Sequence, residues 1–174
     1  MLLALPAIRL TWAWYRLQTH PSIETIEIAK PEIAEAIHAL TQQISQTAQV
    51  PSPRLFIRRA ALPNAFIIAC IWKPDLYLTD ELLEQCEQHH DPLAYLTFVL
   101  CHEIAHIQRG DAIQVGLLTY SHQWTELLKF KTISQHIEKN LAHIEQQTDA
   151  LAEALMQRHL EDPETLHLAL SDHA

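Results

Sequence analysis

The sequence predicts a predominantly helical α+β domain, with a small β-sheet over residues 51–78 lying beside a helix that carries a metal-binding pattern. Three observations predict it. Apolar residues recur at helical spacing through residues 31–49, 79–109 and 133–160. Between Pro51 and Leu78 that spacing gives way to short apolar runs separated by turn signals. The stretch Leu100-Cys101-His102-Glu103-Ile104-Ala105-His106 then sets H-E-x-x-H inside an apolar helix. At 174 residues, 48% hydrophobic and 19% charged, the chain suits one globular domain over 1–174 rather than a disordered segment.

Residues 1–20 form an N-terminal apolar segment rich in Leu, with Trp12 and Trp14. Its apolar run, residues 2–17, is shorter than the ~20 residues a membrane span needs, and Arg9 and Arg16 interrupt it. A basic start and a small-residue cleavage site are both missing, so a signal peptide fits poorly. The favoured reading is a helix packed on the domain. The alternative is a membrane-surface anchor with Trp12, Trp14 and Tyr15 at the interface.

From Pro31, a good first helical residue, Ile33, Ile37, Leu40 and Ile44 define an amphipathic helix that ends before Val50-Pro51. Arg54-Leu55-Phe56-Ile57-Arg58, Ala65 to Ile71 and Leu76-Tyr77-Leu78 read as three short strands, with Pro63-Asn64 and Lys73-Pro74-Asp75 as the turns between them. Thr79 caps a helix with Asp80 and Glu81 in its first turn, running to about His89. His89-His90 sit at its polar end and read as solvated. Pro92 opens the H-E-x-x-H helix, 92–109, which Gly110 terminates. Asp111 can cap a further helix from 112 to about 129, and Ile133, Ile137, Leu141, Ile144, Leu151 and Leu155 mark a last long one, 133–160.

The chemistry starts from H-E-x-x-H. His102 and His106 are four apart, so their imidazoles rise from one helix face a turn apart and can reach a single zinc ion. Glu103 is turned off that face; it suits a general base that touches a water at the metal. With 12 histidines in the chain an accidental match carries weight, and the flanks decide. Leu96, Phe98, Val99, Leu100, Ile104 and Ala105 bury the segment, and three ionisable groups buried there need a reason. A metal supplies one, about one zinc per chain.

Composition narrows the partners. A net charge of −9 with no basic stripe excludes nucleic acid as a partner. Gly110 and Gly116 are the two glycines, so Gly-rich phosphate loops are excluded. Cys70, Cys86 and Cys101 lack C-x-x-C spacing and read as small buried hydrophobes in a reducing, cytoplasmic compartment.

A catalytic zinc usually has three protein ligands and one open position. A third His six residues after His106 would need a Gly where Arg109 stands, so that option fails. Glu145 and Asp149 lie four apart on one face of the last helix; one can bind the metal while the other hydrogen-bonds a ligand imidazole.

Pro63-Asn64-Ala65-Phe66, His102-Glu103-Ile104-Ala105-His106 and Glu145-Gln146-Gln147-Thr148-Asp149-Ala150-Leu151-Ala152 together resemble the three motifs of the HtpX and CaaX-prenyl-endopeptidase family of zinc metallopeptidases. The resemblance covers roughly residues 30–170 and implies a zincin-like fold of gluzincin type. His102, His106 and Glu145 would then bind zinc, Glu103 would be the base, and Asp149 would support a ligand. It also implies an endopeptidase acting on peptide or protein substrates. Asn64, Ala65 and Phe66 would begin an edge strand above the zinc that holds an extended peptide by backbone pairing. Tyr120, His122, His143 and Arg158 are the candidates for oxyanion stabilisation. The chain departs from the family in carrying Ile67-Ile68-Ala69-Cys70 where glycines often follow N-A-F, and Cys101 before the first His. Two rivals are a catalytically silent zinc scaffold, against which Glu103 argues, and a regulatory peptidase that cleaves a repressor partner. The compact core implied here is cytoplasmic, with membrane contact through residues 2–17 not favoured.

Overall fold

The computed structural model describes residues 22–68, 73–115, 118, 122 and 131–161. Strand β1 (Ile23–Thr25) leads into one helical turn, α1 (Ile26–Ala29), and then helix α2 (Pro31–Thr47), with Pro31 in its first turn. Strands β2 (Arg54–Arg58), β3 (Ala65–Ile68) and β4 (Asp75–Thr79) follow, then helices α3 (Asp80–Gln88), α4 (Pro92–Arg109) and α5 (Lys131–Glu161). The predominantly helical α+β class read from the sequence is the observed one.

The sheet order is β1-β2-β4-β3, with β2 and β4 parallel and the two outer pairs antiparallel. β4 is central because Leu76-Tyr77-Leu78 is apolar on both faces, and all five of its residues are buried. Leu55, Ile57, Ala65, Ile67, Leu76 and Leu78 turn one face towards the core shared with the helices. Phe56, Tyr77 and Phe66 stack across the other face at 5.1 and 5.0 Å between ring centroids. β1 is absent from the sequence reading, because three residues between Pro21 and Pro31 carry no legible period. Its pairing with β2, Ile23 opposite Arg58 and Thr25 opposite Phe56, makes it a strand.

Thr79 sets the start of β3. Its hydroxyl caps α3 by accepting from Leu82 N–H at 3.2 Å, and also accepts from Asn64 N–H at 2.8 Å. Its own N–H donates to the Asn64 carbonyl at 3.0 Å, so Asn64 is pinned where the edge strand begins. β3, at the end of the strand order, packs against α4.

Cys86 and Cys101 are buried and free. Among the described residues no helix is long and apolar enough to cross a membrane. The N-terminal segment 1–20, Cys70, Tyr120, Asp162-Pro163 and most of the helix expected over 112–129 lie outside the described residues; 112–115, 118 and 122 of that helix are helical.

Candidate metal centre

Asp91 caps α4 by accepting from Ala94 N–H at 3.0 Å, and Pro92 takes its first turn. The helix then buries Leu100, Cys101, Ile104 and Ala105 in the core. That burial fixes its rotation, so His102 and His106 rise side by side with ring centroids 5.0 Å apart. α5 makes the most extensive helix contact with α4, burying Ile144, Thr148, Ala152 and Leu155. Glu145 and Asp149 flank that buried stripe and so face the two imidazoles.

One carboxylate oxygen is shared by both rings. Glu145 Oε2 stands 3.3 Å from His102 Nε2 and 3.7 Å from His106 Nε2. The other ring nitrogens are held from behind. His102 Nδ1 donates to Asp149 Oδ1 at 2.9 Å, and His106 Nδ1 donates to Asp111 Oδ1 at 2.9 Å. Both Nε2 atoms are thereby turned to the same point. Asp111, by sequence alone a helix cap, is the residue of this centre that the sequence does not single out. The available signal was the order of the helix stop: an acid follows Gly110 directly, five residues after His106.

Gly110 makes that contact possible. Its φ of +69° is left-handed, so the chain reverses at the end of α4 and returns Asp111 to His106. A Cβ at Gly110 meets nothing within 4 Å, so a substitution there is strained by backbone conformation alone. Gly110→Ala is expected to lower stability by about 1–2 kcal/mol, read as a shift of the urea midpoint at constant slope. A variant as stable as wild type would show that the turn relaxes without cost.

Glu103 is buried at 7% exposure, and its carboxylate accepts a hydrogen bond from the Ile67 backbone N–H of β3. Burial pushes its pKa up to about 7, against the opposing pull of His102 and His106. Hydrogen bonding to His102 and His106 holds Glu145 down at about 2. Burial pulls the His106 imidazolium down, but Glu145 and Asp111 outweigh it and raise the pKa to about 9. His102 is also raised, chiefly by Glu145.

Of the three substrate-strand residues, Asn64 is exposed, Ala65 faces the helices, and Phe66 lies on the opposite face against Tyr77. Three of the oxyanion candidates are among the described residues. His122 pairs with Glu138 at 3.4 Å, His143 with Gln147 at 2.9 Å, and Arg158 Nε donates to the Ala154 carbonyl at 3.2 Å.

The family model described as peptidase family M48 matches residues 31–161, three quarters of the chain and all of the elements that build this site. The chain belongs to peptidase family M48. Over 115 residues it is 34% identical to a protease HtpX homolog of Acaryochloris marina, covering 64% of this chain and 37% of that relative. A protease HtpX homolog of Desulforapulum autotrophicum is 35% identical over 86 residues, 48% of this chain and 26% of the relative. One of Methanothermobacter thermautotrophicus is 31% identical over 94 residues, 49% of this chain and 32% of the relative. The matched parts therefore span between about a quarter and somewhat over a third of these relatives. No solved structure matches significantly.

The donor set of this M48 chain fits a zinc ion. Two imidazole nitrogens and one carboxylate oxygen, mutually within 4.8 Å, form the one His/Cys/Asp/Glu group among the described residues that could hold a metal. Tetrahedral bonds of 2.0–2.1 Å require donor atoms about 3.3 Å apart, close to the 3.3 and 3.7 Å found here.

Proposed function

We propose that this M48 chain is a zinc-dependent endopeptidase, with His102, His106 and Glu145 as ligands, Asp149 as the support of His102, and Glu103 as general base. The observation that carries the reading is convergence: both Nε2 atoms and Glu145 Oε2 meet at one point while each Nδ1 is tied to a carboxylate. Held by His102, His106 and Glu145, a zinc ion would supply Lewis acidity, lowering the pKa of water from 15.7 towards about 7 and polarising a peptide carbonyl.

The chain's own groups supply the rest. Glu103, with its pKa near 7, is matched to taking a proton from the attacking water and returning it to the leaving amine. Among the described residues β3 pairs with β4 alone, and its other edge suits an extended peptide. The Ile67 N–H bond ties that edge to the base, so a peptide laid along β3 lies next to the group that moves the proton. The same proposal takes peptides or unfolded proteins as substrates and the cytoplasm as the compartment, with membrane contact through residues 2–17 as the less favoured alternative.

The test uses the purified chain and unfolded casein. Zinc near one per chain, cleavage abolished by a chelator, and recovery on adding zinc are expected. Cleavage that survives complete removal of zinc would reject the reading.

Zinc uptake must also displace protons. In the metal-free chain the folded pKa of His106 lies at about 9, above its ordinary 6.5, so its pairing is complete below 6.5 and is lost as pH rises through 9. Glu145, held at about 2, contributes above its ordinary 4.5 and loses that contribution as pH falls towards 2. At pH 7 the site is thus a protonated cluster. Titration calorimetry in buffers of different ionisation enthalpy is expected to show release of about one to two protons per zinc, with apparent affinity climbing as pH rises. A heat independent of buffer would mean that zinc releases no protons from the histidines, which are then not the ligands.

Asp149→Ala is expected to differ from loss of a ligand. It frees the His102 ring to rotate but leaves three donors, so zinc affinity falls roughly 10- to 100-fold without vanishing. An affinity equal to wild type would leave Asp149 as a solvated surface acid.

A further inference from the structure

Arg109 stands where the two halves of the centre meet. It is the last residue of α4, one position before the left-handed Gly110. Its Nε donates to Asp111 Oδ2 at 2.5 Å and its Nη2 donates to Gln147 Oε1 at 2.8 Å. Asp111 therefore has both oxygens engaged, Oδ2 with Arg109 and Oδ1 with His106. Gln147 is two residues from Glu145 on α5, and its side-chain amide also donates to His143 Nε2 at 2.9 Å. One guanidinium thus joins the carboxylate behind the second histidine to the helix that carries the acidic donor.

We propose that Arg109 is a positioning residue of the metal centre, acting through Asp111 on the orientation of His106 and through Gln147 on the approach of Glu145. The proposal rests on the assignment of His102, His106 and Glu145 as ligands. Exposed ion pairs contribute little, but this one is mostly shielded: the Arg109 side chain is 24% exposed and that of Asp111 9%. A planar fork presents donors in two fixed directions, which suits a clamp between an acid and an amide; a lysine ammonium has donors enough but radiates them from one nitrogen, so it cannot span the two partners with the same fixed geometry. The 3.7 Å gap between His106 and Glu145 is the longer of the two to the shared oxygen, and it is the one Arg109 bridges from behind. Without the guanidinium, Asp111 is free to turn away from His106, and Gln147 loses its tie to the end of α4.

The test compares the full chain with Arg109→Gln, Arg109→Lys, Asp111→Asn and the double variant Arg109→Gln/Asp111→Asn. Two readouts are used: zinc affinity by competition with a chromophoric chelator, and the visible absorption bands of the cobalt(II)-loaded protein. Arg109→Gln is expected to weaken zinc about 10-fold and to shift the cobalt bands. Arg109→Lys is expected to fall between it and wild type. Because Arg109 acts through Asp111, the double variant should lose less than the product of the two single losses. Unchanged zinc affinity and cobalt spectrum in the Arg109 variants, with only the melting temperature lowered, would reduce Arg109 to a structural residue and overturn the proposal. Losses that multiply in the double variant would overturn it as well. Should Arg109→Gln fail to fold, Arg109→Lys carries the same comparison. A wild-type chain that takes up no zinc rejects the ligand assignment itself, whereas a full wild-type site matched by the Arg109 variants rejects only the clamp.

Discussion

Glu103→Gln is expected to bind zinc and fold as wild type does while losing turnover of casein by about 10²- to 10⁴-fold, the range general acid–base catalysis supplies. The substitution is nearly isosteric, and its amide oxygen can still accept the Ile67 N–H bond that the carboxylate accepts now. What it removes is the capacity to take up and return a proton. A second consequence separates this variant from a damaged fold. Burial raises the Glu103 pKa from 4.5 to about 7, so its carboxylate favours folding least once ionised. The sign is that of a group whose contribution is complete below 4.5 and lost as pH rises through 7. Metal-free Glu103→Gln should therefore match wild type in thermal midpoint near pH 4 and exceed it at pH 8. Wild-type cleavage by the variant would remove Glu103 from the role of base.

Loss of a ligand is expected to be the larger effect on the metal. Four-ligand zinc sites bind with about 10–16 kcal/mol, so one ligand carries on the order of 3 kcal/mol, a factor above about 10² in affinity. His102→Ala and His106→Ala should emerge from purification without zinc, and Glu145→Ala with much reduced occupancy. Glu145→Ala also removes from both imidazoles a carboxylate that raises their pKa, leaving His102 with Asp149 and His106 with Asp111. Elemental analysis on the three variants, alongside Asp149→Ala, gives the ranking. Full zinc occupancy in Glu145→Ala would move the third ligand to another side chain, with His122, His136 and His143 as the candidates.

Local order accounts for what was legible in the chain. Four-residue spacing on a helix is a geometric constant, so His102 with His106, and Glu145 with Asp149, share faces whatever the rest of the molecule does. The helix ends were equally local: Thr79 and Asp91 cap with their own side chains, and Gly110 terminates α4 in a conformation that other residues seldom adopt. The turn signals at Pro63-Asn64 and Pro74-Asp75 likewise bound β3 and β4.

What needed the tertiary structure is whatever joins distant positions. Asp149 reaches His102 across 47 positions because Ile144, Thr148, Ala152 and Leu155 pack α5 onto α4, and no local rule selects that neighbour. β1 exists through its partner β2, since three residues cannot sustain a strand without cross-strand bonds. In the sequence Asp111 reads as a helix cap and Arg109 only as the end of α4; the reversal at Gly110 turns them into the support of His106 and a link to α5. The sequence by itself determined the faces, ends and spacings within each helix, because those follow from backbone geometry over one or two turns. Only the tertiary structure decided which faces meet, because apolar burial rewards any matching pair of faces and the complete packing selects among them.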